Sequence, residues 1–142
     1  MTINEQQDEY IASFEFIEDR FERYEYIIDI GKKLPPMDEK FKTPGNVIKG
    51  CQSTVWLHAE YVNGLIYFFA DSNTQIVKGV VAMFVNIYSG HTPGDILNSE
   101  MYFVEKVGLQ NFLTSNRSNG IVAMLKQIKL YAFAYQAKSL QP

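Results

Sequence analysis

The sequence predicts an α+β fold: a small antiparallel β-sheet packed against several helices, among them a central buried helix and a long C-terminal helix. Three observations carry this. Two runs rich in β-branched and aromatic residues, 53–62 and 65–70, are joined by Asn63-Gly64, the strongest short hairpin signal. The run from Ile76 to Tyr88 is apolar nearly all round, as a helix enclosed on every side must be. Towards the C-terminus Ile121, Met124, Leu125, Ile128, Ala132 and Tyr135 recur at helical spacing and mark one core-facing stripe.

In chain order, residues 5–17 and 19–30 are predicted as two helices, with Tyr10, Phe14 and Ile17 spaced for one apolar face and Phe21, Tyr24 and Ile28 for another. Gly31 supplies a stop, followed by Lys32, Lys33, Pro35 and Pro36. A loop follows as far as Pro44-Gly45. If the Asn63-Gly64 turn sets the register of the hairpin, Leu57 faces Ala70, Ala59 faces Phe68 and Tyr61 faces Ile66 on one apolar side. Trp56, His58 and Glu60 then point the other way. Ser72 with Gln75 matches a capping box ahead of the buried helix. Gly90 ends that helix, and Thr92-Pro93 opens a short one with Thr92 as cap. Residues 101–107 form another short helix, broken by Gly108. Residues 113–120 are polar and turn-like and lead into the last helix, which runs to about Ala137.

Length and composition bound the function. The 142 residues, 46% hydrophobic and 14% aromatic, suit one soluble domain, 1–142. The segment from Met1 to Glu9 lacks the basic-then-apolar pattern of a secretory leader, and no apolar run approaches the roughly 20 residues that span a bilayer. The expected location is cytoplasmic. Net charge is −3, unevenly spread: the first 30 residues hold nine acids against Arg20 and Arg23, a net of −7, which leaves +4 for the remainder. Those acids read as solvated helix faces, and nothing has the basic, aromatic-interleaved character of a nucleic-acid groove.

Cys51 is the only cysteine. It can form no internal disulfide, and with His58 and His91 it is thin material for a metal site, so none is expected. A cysteine hydrolase would need an imidazole within hydrogen-bond reach of the sulfur. His58 lies seven residues on, about 23 Å along an extended chain, and no signature brings His91 near. Sulfur exchange, by contrast, needs only the thiolate, and a persulfide is a reversible form of cysteine. The setting favours reactivity. Gly50 permits positive φ and close approach, and Asn46, Gln52 and Ser53 can hold a loop tip or solvate a thiolate. A sulfur carrier, a thiol enzyme using a histidine, and a binding module with an inert thiol are the three readings the residues allow.

Gly50-Cys51-Gln52-Ser53 followed by Val55-Trp56-Leu57 resembles the signature of the SufE family. So do Tyr26-Ile27-Ile28 with Gly31-Lys32 and Leu34-Pro35, Asp71-Ser72 with Ile76-Val77-Lys78-Gly79, Ser89-Gly90 with Thr92-Pro93, Gly108-Leu109, and Arg117-Ser118-Asn119-Gly120 with Ala123-Met124, all in the family's order and spacing. The resemblance spans roughly residues 26–134. It implies an α+β fold and a sulfur acceptor. Cys51 would take persulfide sulfur from a pyridoxal-phosphate cysteine desulfurase, stimulate that enzyme, and pass the sulfur to an iron–sulfur cluster scaffold complex. The pyridoxal phosphate would belong to the partner, with no bound cofactor and no independent turnover here. Gly50, Gln52, Ser53 and Arg117 would support or hold the reactive loop. Trp56 would serve as a docking aromatic or as strand packing, and Asp71 and Asn73 as helix-start groups or as loop and docking support. This chain has Asn73 where the family commonly has a second acid, and Ser115-Asn116 where it commonly has Pro-Ser.

Overall fold

The computed structural model describes residues 1–113 and 115–139, with residues 115–118 described by their backbone alone. Helix α1 (Ile3–Phe16) opens at Thr2, whose hydroxyl accepts the Glu5 N–H while the Glu5 carboxylate accepts the Thr2 N–H. That reciprocal cap starts the helix two residues earlier than the sequence suggests. Its inner face, including Tyr10 and Phe14, carries a fully buried Gln7. The Gln7 amide oxygen accepts the N–H groups of Tyr102 and Phe103, and its nitrogen donates to the Glu100 carbonyl. A short helix ahead thus finds its missing N-cap on α1.

Helix α2 (Arg20–Lys32) is capped by Asp19, which accepts from the Phe21 N–H. Its buried residues are Ile27 and Gly31, whereas Phe21 and Tyr24, expected on the apolar face, are exposed. Gly31 does not stop the helix either. Both corrections have one cause. The helix packs against α3 (Gln75–Tyr88) at Gly79: a Cβ on Gly31 would lie 2.8 Å from the Gly79 nitrogen, and a Cβ on Gly79 would run into the Ile27 carbonyl oxygen. Two glycines let the backbones meet, so the inward face of α2 is the one that carries Ile27 and Gly31.

Strands β1 (Val55–Val62) and β2 (Leu65–Ser72) pair antiparallel in the expected register, Leu57 opposite Ala70, Ala59 opposite Phe68 and Tyr61 opposite Ile66. Asn63 and Gly64 both have positive φ, 53° and 83°, the geometry of the tight hairpin turn that matches strand twist. One face of the hairpin, including Leu57, Ile66, Phe68 and Ala70, is buried and packs on α3, eleven of whose fourteen residues are buried. The N-cap of α3 is Thr74, without a side-chain capping bond, and not Ser72. Ser72 ends β2, and its hydroxyl is engaged elsewhere.

Helix α4 (Pro93–Leu97) starts at Thr92 and Pro93 as expected, and the Thr92 hydroxyl accepts the Asp95 N–H. Helix α5 (Phe103–Val107) ends at Gly108 in the left-handed conformation. Helix α6 (Ser115–Ser139) includes the backbone of the stretch read as a turn, so the last helix begins ahead of Gly120. It buries Ile121, Met124, Ile128 and Ala132 along the expected stripe. Lys129 donates to the carbonyls of Ile96 and Ser99, tying α6 to the end of α4. No helix among the described residues is long and apolar enough to cross a membrane.

The glycine crossing makes a testable claim. Gly79→Ala should cost about 3 kcal/mol or more in urea unfolding, at or beyond the upper end of overpacking penalties. Gly45→Ala, whose added Cβ would meet only the Thr43 hydroxyl at 3.9 Å, should be nearly neutral. A loss below about 1 kcal/mol at Gly79, within the range of ordinary substitutions, would mean that α2 and α3 can separate without consequence.

Candidate functional site

The lone cysteine sits on a short loop closed at its base by the sheet. The Ile48 N–H donates to the Val55 carbonyl at 2.8 Å, and Val47 bridges Trp56, so residues 49–54 form an excursion from the edge of β1. Gly50, with φ of +92°, makes the turn at its tip, as its place in the sequence predicts. The base is tied to the β2–α3 junction. The Ser72 hydroxyl donates to the Thr54 carbonyl at 2.8 Å, the Thr54 N–H donates to the Asn73 side-chain oxygen at 3.1 Å, and the Thr74 hydroxyl donates to that of Ser53 at 3.0 Å. Ser53 and Asn73 therefore fix the root of the loop, while Gln52 is exposed.

Cys51 itself is half-buried, and its thiol donates to the Gly120 carbonyl of α6 across 3.7 Å. Beside it lies a small apolar cavity of about 20 Å³, walled by Val77, Val80, Val81 and Phe84 of α3 and by Ile121 and Met124 of α6. Burial pushes the Cys51 thiol above its ordinary pKa. The charged form loses hydration there and gains no compensating cation among the described side chains. The resting sulfur is a protonated thiol on an apolar wall.

Trp56, His58, Asp71 and His91, also singled out by sequence, are not among the residues around this sulfur. Trp56 is on the outer face of β1 under the Lys42 ammonium, 5.2 Å from the ring centre. Asp71 bonds Lys42 at 2.9 Å and Lys78 at 3.3 Å, which pins the connector after α2 to the sheet. Burial alone would raise the Asp71 pKa, but its hydrogen bonds from Lys42, the Ser72 N–H and Lys78 outweigh that and hold it below the usual value. His58 stacks on Phe41 at 3.8 Å between ring centres, and the His91 backbone bridges Ile66. Neither histidine is among the residues around the thiol, so none of the described groups can act as its base. The side chain of Arg117 lies outside the described residues, as do those of Ser115 and Asn116.

Four contributors to the site went unread as such in the sequence. Val77, Val80 and Val81 looked like core alone, because periodicity cannot distinguish a residue that lines a cavity from one that fills it. Gly120 looked like a turn glycine. No group of three or more His, Cys, Asp or Glu side chains that could hold a metal occurs among the described residues.

A hairpin on a buried helix, with one thiol presented by a tethered loop and no base beside it among the described residues, defines a small α+β protein whose site is built around a single sulfur. The chain matches the SufE family, described as an Fe-S metabolism associated domain, over residues 8–132. An uncharacterized SufE-like protein of Rhizobium etli is 38% identical over 127 residues, 86% of this chain and 86% of that protein. Another, of Synechocystis, is 36% identical over 126 residues, 89% of this chain and 79% of that protein. The solution structure of a hypothetical protein from Thermus thermophilus shares the fold, with a TM-score of 0.74 over 93% of this chain and 96% of that one at 19% identity. This chain belongs to the SufE family, and its place is in iron–sulfur metabolism and sulfur transfer.

The buried thiol sets a pH dependence. Iodoacetamide attacks the thiolate, so in the folded protein its rate should reach half of its plateau at a pH above that of the same chain unfolded in urea, about 8.5 for an unperturbed cysteine. Coincident folded and unfolded profiles would refute the burial of this sulfur.

Proposed function

We propose that Cys51 is a persulfide acceptor: it takes sulfane sulfur from a pyridoxal-phosphate cysteine desulfurase, stimulates that enzyme by removing its product, and delivers the sulfur to an iron–sulfur cluster scaffold in the cytoplasm. The observation that carries this reading is the thiol itself, half-buried against an apolar wall with no imidazole among the described residues around it. A hydrolytic cysteine needs a base, whereas exchange between sulfurs does not.

In the proposed step Cys51 releases its proton to solvent and the thiolate attacks the outer sulfur of the desulfurase persulfide. A sulfur–sulfur bond forms at the Cys51 sulfur as the donor's sulfur–sulfur bond breaks, and the donor cysteine leaves with the electron pair as a thiolate. The sulfane sulfur is neither oxidised nor reduced overall, and no further reagent is consumed. The pyridoxal phosphate that cleaves cysteine belongs to the partner, and this chain has no turnover of its own. Attack requires an ionised, accessible sulfur, so the resting form must open, and contacts that the desulfurase makes only with the open form favour that state. The proposed role of Arg117, at the position of the family's arginine, is to hold the closed loop. Trp56 and the Asp71 cluster flank the loop as support for the docked partner.

Incubation with desulfurase, cysteine and pyridoxal phosphate should raise the intact mass by one sulfur atom, reversibly with reductant, and the purified protein alone should release no sulfide from cysteine. The same mass gain on Cys51→Ser would rule the acceptor out. Arg117→Ala should speed alkylation of Cys51 in the isolated protein with little change in unfolding midpoint. A wild-type thiol already as reactive as free cysteine would remove the gate and, with it, this role for Arg117.

A further inference from the structure

Glycine inside a helix costs about 1 kcal/mol relative to alanine, and Gly120 lies within α6 (Ser115–Ser139), well short of its C-terminus. Its place there calls for a reason. A Cβ built on Gly120 would stand 2.7 Å from the Cys51 sulfur, 3.4 Å from the Cys51 Cβ and 3.7 Å from its Cα. Atoms essentially never approach a Cβ at the first of these distances. The same residue's carbonyl is the acceptor of the thiol. The space that the missing side chain vacates is filled by the reactive atom itself.

We infer that Gly120 is the positioning residue of the sulfur site: its bare Cα forms the berth in which the Cys51 sulfur rests, and its carbonyl holds the sulfur there as a neutral thiol. This rests on the reading of Cys51 as a sulfur acceptor. The physical content goes beyond packing. A carbonyl oxygen can accept from S–H but repels S⁻, so the bond that seats the sulfur exists only in the protonated form. Ionisation removes the hold, and departure from the berth removes the apolar surroundings that oppose ionisation. Exit and activation are therefore linked in one movement of one side chain. The described side chains facing the sulfur, from its own loop (Gln52, Ser53), β1 (Val55), α3, Leu113 and α6, carry no charge that would alter this balance.

Gly120→Ala should displace the sulfur while improving the intrinsic helix propensity of α6. The expected result is alkylation of Cys51 by iodoacetamide at neutral pH about tenfold faster than wild type, with the pH profile moved down towards that of the unfolded chain; tenfold corresponds to one pKa unit. A persulfide loaded onto Cys51 from a desulfurase should be lost to glutathione several-fold faster. Gly94→Ala, a helical glycine whose added Cβ meets only the Gln136 amide at 3.7 Å, is the control and should leave the profile unmoved. If Gly120→Ala destabilises the fold, the double variant Gly120→Ala/Cys51→Ala should restore the unfolding midpoint, because the clash is with the sulfur. An unmoved alkylation profile in a folded Gly120→Ala, or destabilisation that persists without the sulfur, overturns the berth. A moved profile in a protein whose wild type gains no sulfur would leave the berth standing and remove the acceptor reading.

Discussion

The contact on which the rest of the structure depends is the crossing of α2 and α3, where Gly79 meets the Ile27 carbonyl and Gly31 meets the Gly79 nitrogen with no side chain between them. Ordinary helices pack about 8–10 Å apart because side chains intervene. Here the backbones are admitted to near contact, and α3 is fixed against α2 along one line. The opposite demands on α3 then have definite places. The hairpin covers another face through Leu57, Phe68 and Ala70, and the valines at 77, 80 and 81 are turned to the reactive loop. A helix free to roll would carry those valines with it, and the wall beside Cys51 would lose its shape.

The loop depends on that wall and on a second set of restraints. Its root is fixed by hydrogen bonds with three consecutive residues, two donated by Ser72 and Thr74 and one accepted by Asn73, at the end of β2 and the cap of α3. These bonds hold Ser53 and Thr54, not Cys51. Among the described residues the tip is held by Gly50's left-handed turn and by the weak thiol bond to Gly120. Thiol donors are poor ones, so the fold places its strong bonds at the base and its weakest at the reactive atom. Such a gradient lets the tip move while the root, and the strand that follows it, stay in register. Asn73 serves this root through a neutral oxygen, and the carboxylate that does carry charge, Asp71, is occupied by two lysines on the outer face of the sheet.

Much of this was legible in the sequence where the physics is local. The Asn63-Gly64 turn fixes the register of the hairpin because only residues tolerant of positive φ complete a two-residue turn, and the pairing follows by counting. Thr92 with Pro93, the all-round apolar α3 and the stripe of α6 are equally self-contained signals. The errors share a different origin. Gly31 followed by two lysines and two prolines satisfies the local rules for a helix stop, yet its purpose is set by Gly79, 48 residues away. Ser72 satisfies the local rule for a capping box, yet its hydroxyl is drawn to Thr54. Phe21 and Tyr24 have the spacing of a buried face, but a face buries only where its partner can approach, and the glycines decide that. Cys51 stood out as the reactive candidate because it is alone. Gly120 did not, because a residue that acts by having no side chain leaves no chemical trace of its own.

The position of the sulfur also resolves an apparent contradiction in its chemistry. A cysteine meant to attack is commonly set in an electropositive site that lowers its pKa, and Cys51 is instead raised by burial. For a nucleophile that must act on every small molecule it meets, this would be a defect. For one that must carry a labile sulfur past a pool of competing thiols, it is the safer arrangement, because exchange is fastest for exposed sulfurs whose ionised form is abundant. The cost is that burial lowers the share of ionised sulfur in the protein alone. On the proposed acceptor reading, contacts with the donor favour the ionised, accessible state, which places the chemistry in the complex and makes the partner's surface, not the pKa of the isolated thiol, the determinant of when the sulfur moves.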